Sequence, residues 1–99
     1  MSAIESSDLL LGSQCIEVLA AVEAERGNLR FATRLLGASD ALRDALGYEL
    51  EPAERALHDR TVDRVERELT PAGLRAQWNE GANLDLEEAF ALIGREYLL

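Results

Sequence analysis

The stretch IEVLAAVEAERGNLRFATRLLGASDALRD, Ile16 to Asp44, decides the fold. Ala, Leu, Arg and Glu dominate it, all strong helix formers, and only Gly27-Asn28 interrupts them. Gly27 supplies a left-handed residue at a helix C-terminus, and Asn28 is expected to cap the helix that follows. A junction this short forces the two helices into an antiparallel hairpin. In the second helix, Leu29 to Leu46, the residues Phe31, Leu35, Leu42 and Leu46 make one apolar stripe, with Ala32, Leu36 and Ser39 beside it. Gly37 costs about 1 kcal/mol relative to Ala in mid-helix, which only close packing against a neighbour would offset. Gly47 closes the helix.

The first helix is expected from Asp8 or Ser13 to Arg26. Leu11, Cys15, Val18, Leu19 and Val22 recur at spacings of three and four and define its inward face, while Glu17 and Glu25 are assigned to solvent. A third helix runs from Pro52 to Leu69 on a thin stripe of Leu57, Val62, Val65 and Leu69, with acid-before-base pairs at Glu51/Arg55 and Asp63/Arg67. Thr70-Pro71 opens a short fourth helix that presents Leu74 and Trp78 inward and ends at Gly81. Asp85 and Glu88 form a capping-box pattern before a fifth helix, whose buried face is Leu86, Ala89, Phe90, Ile93 and Tyr97. The reading is all-α: an antiparallel hairpin followed by three more helices, about five in total. A flexible N-terminus, residues 1–7, precedes a single helical domain over 8–99.

The 99 residues suit one hydrophobic core. Ten Arg, no Lys and nineteen carboxylates leave a formal charge of -9, so a phosphate backbone would meet net repulsion and direct nucleic-acid binding is not expected. One Cys and one His cannot build a disulfide or a multi-histidine metal site. No apolar run reaches the roughly 18–20 residues of a membrane span, and the acidic N-terminus does not have the charge of a secretory signal. A soluble cytoplasmic chain without cofactor or membrane contact is expected.

From Ile16 to Asp44 the spacing resembles a tetratricopeptide unit, a 34-residue helical hairpin. Ile16, Leu19 and Ala20 match its large–large–small opening, Gly27 its turn, and Ala32, Leu36 and Ser39 the small–large–small run of its second helix. Glu23 stands where an aromatic is usual and Asp44 where a proline is usual. The longer pattern, Arg34 to Gly47, Glu51 to Leu57, Trp78 to Gly81 and Leu84 to Ala89, resembles the C-terminal tails of large bacterial ATPase-containing transcriptional regulators of the LuxR-type and adenylate-cyclase-fused kinds. That resemblance spans Cys15 to Tyr97. It implies a tetratricopeptide-like tail that regulates through protein contacts, with the ATPase, DNA-binding and cyclase activities residing in other domains.

No residue pattern supports catalysis. His58, with Glu54 and Asp59 near it in sequence, is read as a half-exposed helix residue tempered by Glu54, and no activated Ser or Cys accompanies it. Cys15 has no basic neighbour to activate it and counts as a small hydrophobe. Asp59, Asp63 and Glu66 share a helical face that is expected to be solvated rather than to hold a cation. Arg30 and Arg34 are expected to pair with Glu23 and Glu25. An open solenoid edge would leave the first helix partly uncovered, so Leu9, Leu10, Leu11, Ile16 and Val18 form the expected interaction surface for a protein partner or a two-fold homodimer. The alternative is a small-molecule sensor, with its ligand between the hairpin and the fifth helix near Arg30, Trp78 and Tyr97.

Overall fold

Gly27 and Gly47 adopt φ +84 and +67, the left-handed conformation that turns the chain after each of the first two helices. At the first turn the Gly27 and Asn28 amides donate back to the Ala24 and Glu23 carbonyls, at 3.1 and 2.9 Å, and so close the orphan end of the helix. The computed structural model describes residues 6–98 and is all-α, with five helices: α1 (Ser6–Glu25), α2 (Leu29–Leu46), α3 (Pro52–Glu68), α4 (Pro71–Ala82) and α5 (Leu86–Leu98). Of the segment expected to be flexible, residues 1–5 lie outside those described, whereas Ser6 and Ser7 belong to the first turn of α1.

Local chemistry sets the remaining starts. The Thr70 hydroxyl accepts the Gly73 amide at 3.0 Å. Asp85 and Glu88 exchange side-chain-to-amide bonds of 2.8 and 2.9 Å, the expected capping box. At α3 the Glu54 carboxylate accepts the Glu51 amide at 2.9 Å. Asn28 does not cap α2 with its side chain; its Nδ2 instead donates to Glu23 Oε1 at 3.2 Å.

Helix α2 is the central element, with Phe31, Ala32, Leu35, Leu36 and Ala38 buried. It forms the hairpin with α1 on one side, and α4 crosses it on the other. That crossing depends on two glycines. A Cβ at Gly37 would fall on the Trp78 carbonyl, and one at Gly81 on the Arg34 carbonyl. Gly81 therefore lies inside α4 as a packing contact instead of ending it, and the helix continues to Ala82.

Helices α3 and α5 flank α1. Gln14 and Glu17 meet Glu54 and His58 of α3, and Gly12 and Glu23 meet Leu86 and Tyr97 of α5, so both run in the same sense as α1. One apolar cluster joins Ile16, Ala20 and Ala24 to the α2 residues, Val65, Leu86, Ala89 and Leu92, with Leu74 and Trp78 packed at its edge. Phe90 and Tyr97, expected in the buried face of α5, are largely exposed; Leu92 takes the inward place. Asp63 and Arg67 pair at 3.4 Å as expected, but Glu51–Arg55 is not among the ion pairs of the described residues. No helix among the described residues is long and apolar enough to cross a membrane.

Candidate interaction surface

The face that α1 turns away from α2 is apolar and bare. Leu11, Val18 and Val22 are 61, 52 and 45% exposed, and Cys15 is exposed with them. At 3.6 residues per turn these four make a single stripe along the helix. The reason is geometric. The hairpin face of α1 is built from small or tightly fitted residues, Ser13, Ile16, Ala20 and Ala24, which let α2 approach closely. Gly12 beneath Leu86 serves the same purpose toward α5. The larger side chains of the other stripe have no facing helix among the described residues.

Of the expected surface, Leu11 and Val18 are where a partner would reach them. Leu9 and Leu10 are half-buried, with Leu9 packed on the core, and Ile16 is fully buried. Ile16 therefore belongs to the core: it stands on the α2 side of α1, not on the edge. Cys15 and Val22, read from the sequence as inward, complete the surface instead. Phe90 enlarges it, since it shares a face of α5 with Leu86 and Tyr97, the residues that meet α1.

The opposite surprise is Glu17. Assigned to solvent from its charge, it is buried between α1, α2 and α3. Its Oε1 accepts from Ser39 Oγ at 2.7 Å and from Arg43 Nη1 at 2.7 Å, and its Oε2 accepts from His58 Nδ1 at 2.9 Å. A carboxylate can only accept, so the His58 proton sits on Nδ1. Burial raises the Glu17 pKa, but the bonds from His58, Ser39 and Arg43 outweigh it and hold the carboxyl below its ordinary value. Arg43 reaches Asp40 as well, at 3.4 Å. His58 is thus a partner of Glu17 rather than of Glu54, and its ring stands edge-on to Trp78 at 6.4 Å.

Glu54 anchors a second set of bonds, accepting from the Tyr48 hydroxyl at 2.7 Å and from Gln14 Nε2 at 3.3 Å. Its pKa is lowered by the Glu51 amide first and by Tyr48 next. Between the two clusters lies a cavity of about 110 Å³ lined by Glu17, Val18, Tyr48, Leu50 and Leu57 among others. Val18 thus links that cavity to the exposed stripe.

Arg34 and Glu23 also differ from expectation. Arg34 lies 3.9 Å from Glu80 of α4, while Glu23 is buried and accepts from Asn28 and from the Tyr97 hydroxyl, with Arg26 at 3.6 Å. Burial and the bond to Glu23 push the Tyr97 hydroxyl up to about 12. The three residues of the sensor alternative sit among different neighbours. Arg30 lines a cleft with Thr70 and Gln77, Trp78 meets His58, and Tyr97 meets Phe31 edge-on at 6.2 Å. Among the described residues no group of His, Cys, Asp or Glu is arranged to hold a metal ion. Comparison with protein-family models, with curated proteins and with solved structures returned no match to this chain.

Proposed function

We propose that the chain is a non-catalytic protein-interaction module and that its contact surface is the outward face of α1. The observation that carries this reading is the stripe of Leu11, Cys15, Val18 and Val22, exposed together while two carboxylates of the same helix are buried. Contiguous exposed apolar side chains mark association sites. Two further points support it. The polar groups with catalytic potential, Glu17, Arg43 and His58, are engaged with one another and tie α1 to α2 and α3. The sequence also resembles the tetratricopeptide-like tails of bacterial transcriptional regulators, which supports a role in signal-dependent regulation through protein contacts.

The test is the double variant Leu11→Glu/Val18→Glu. Both side chains point to solvent, so helicity by circular dichroism is expected to stay at the wild-type level. Association with any protein chain, its own copy included, is expected to disappear. Sedimentation and pull-down profiles identical to those of the wild type would overturn the reading.

A further inference from the structure

Resting on that reading, we infer that the occupant of the α1 face is a second copy of this chain, bound antiparallel about a two-fold axis near the middle of the helix. The argument comes from the symmetry of the stripe and of the charges at its ends. In an antiparallel pair a two-fold axis maps each position onto its mirror about one central level. With that level between residues 16 and 17, Leu11 meets Val22 of the other copy and Cys15 meets Val18. The four exposed apolar residues thus form a self-complementary set.

The end charges obey the same symmetry independently. Asp8 and Arg26 lie 18 residues apart, which is five full turns of helix, so they project from the same side of the stripe. The helical hydrogen bonding extends through Arg26, whose amide donates to the Val22 carbonyl at 3.1 Å. Both side chains are exposed, and Arg26 also lies 3.6 Å from Glu23 of α1. Their midpoint is residue 17, within half a residue of the centre of the stripe, or under about 1 Å along the axis. In the antiparallel pair each Asp8 comes level with the other copy's Arg26, once at each end. A parallel pair, related by a two-fold axis along the helices, carries the Asp8–Arg26 sides of the two copies to opposite flanks, so that Asp8 there meets Ser7 and not Arg26. The antiparallel direction is thus the one that brings Asp8 to an opposite charge. On the other flank, Glu25 meets the uncharged Ser7, so no like charges oppose each other there. Phe90 of α5 lies on the Asp8–Arg26 side, next to its symmetry mate.

The experiment pairs two charge reversals, Asp8→Arg and Arg26→Asp, with analytical ultracentrifugation. The wild type is expected to show a monomer–dimer equilibrium. Each single variant sets like charges at both ends and is expected to dimerise about tenfold more weakly or worse. An equimolar mixture of the two is expected to recover dimer, because both ends of the mixed pair then carry opposite charges. A wild type that stays monomeric over the whole concentration range overturns self-pairing and leaves a different chain to satisfy the surface. A dimer that Leu11→Glu/Val18→Glu abolishes, but that the mixture fails to restore, overturns the antiparallel register and keeps the surface. A dimer that survives Leu11→Glu/Val18→Glu overturns both this inference and the reading it rests on. Cys15, the single thiol of the chain, gives a second readout: a short bismaleimide is expected to join two copies in the wild type and much less in either charge variant.

Discussion

Replacing Glu17 by Ala is expected to be among the most damaging single changes in the molecule. The side chain is buried, and it is the shared acceptor for Ser39, Arg43 and His58. Removing it strands the Arg43 guanidinium, itself only 7% exposed. Breaking a buried ion pair by deleting one partner costs about 3–5 kcal/mol. Asp40 remains 3.4 Å from Arg43 Nη2 on the solvent side and moderates the loss, so the lower end of that range, about 3 kcal/mol, is expected. Ser39 keeps the Leu36 carbonyl at 3.1 Å and adds little to the cost. For a chain of this size, with total stability of roughly 5–15 kcal/mol, such a loss lowers the melting temperature by about 12–24 °C. The decisive comparison is the pair Glu17→Leu/Arg43→Leu. Replacing both charges with apolar groups removes the stranded ion, and the double variant is expected to lie within about 1.5 kcal/mol of the wild type. Urea denaturation followed by circular dichroism gives the four free energies of the cycle. Additive losses, or a Glu17→Ala variant within about 1 kcal/mol of the wild type, would refute the account of Glu17 as the common anchor of α1, α2 and α3.

The other predictions concern the same contacts. Because the folded Glu17 and Glu54 carboxyls both sit below their ordinary value of 4.5, stability is full above that pH and falls as acid titrates the folded groups; acid-melting curves should lose the Glu17 share of this slope in Glu17→Gln and keep the Glu54 share. Tyr97, at about 12, holds its proton in the folded state after the unfolded chain has released it, so stability is expected to decline above pH 10. The variant Tyr97→Phe reduces that alkaline decline in a thermal-melt series, leaving the part that comes from Tyr48, whose hydroxyl is also raised by its bond to Glu54, and it costs about 1–3 kcal/mol by leaving buried Glu23 short of a donor. Gly37→Ala and Gly81→Ala should each destabilise by about 1–3 kcal/mol in urea, against the propensity that favours Ala in a helix, since the added methyl meets backbone of the facing helix.

The helices themselves were legible because their punctuation is local. Gly27, Gly47, Thr70-Pro71 and Asp85 with Glu88 act within a few residues of their own position, and the bounds of α2 follow from them without any knowledge of neighbours. Gly81 misled for an instructive reason. A glycine near a helix end signals termination only when it adopts the left-handed conformation, and here its missing side chain serves a crossing helix 47 residues earlier in the chain. Nothing local separates the two uses. Gly37 was better placed, since a glycine in mid-helix has no role in a turn and so pointed to close packing.

Much of the face of α1 was read inside out, with Cys15 and Val22 placed inward and Glu17 outward, while Leu19 does pack on the core; the cause bears on function. Periodicity weighs side chains by hydrophobicity, and on that scale Leu11, Cys15, Val18 and Val22 outrank Gly12, Ser13, Ala20 and Ala24. A tightly packed hairpin instead selects by size, because close approach of two helices requires the smaller residues at the contact. Helix α1 offers both stripes, and α2 takes the narrow one, together with Glu17, for which Ser39, Arg43 and His58 supply the partners. The outcome is a helix with two carboxylates, Glu17 and Glu23, inside and an aliphatic row outside. Scattered exposed hydrophobic residues on a protein surface need no explanation, but an aligned row on one helix does. Its cost to a lone chain in water is offset once a second surface covers it. The Asp8–Arg26 symmetry, which hydrophobic patterning cannot register at all, is the ground for proposing a second copy of the chain as that surface.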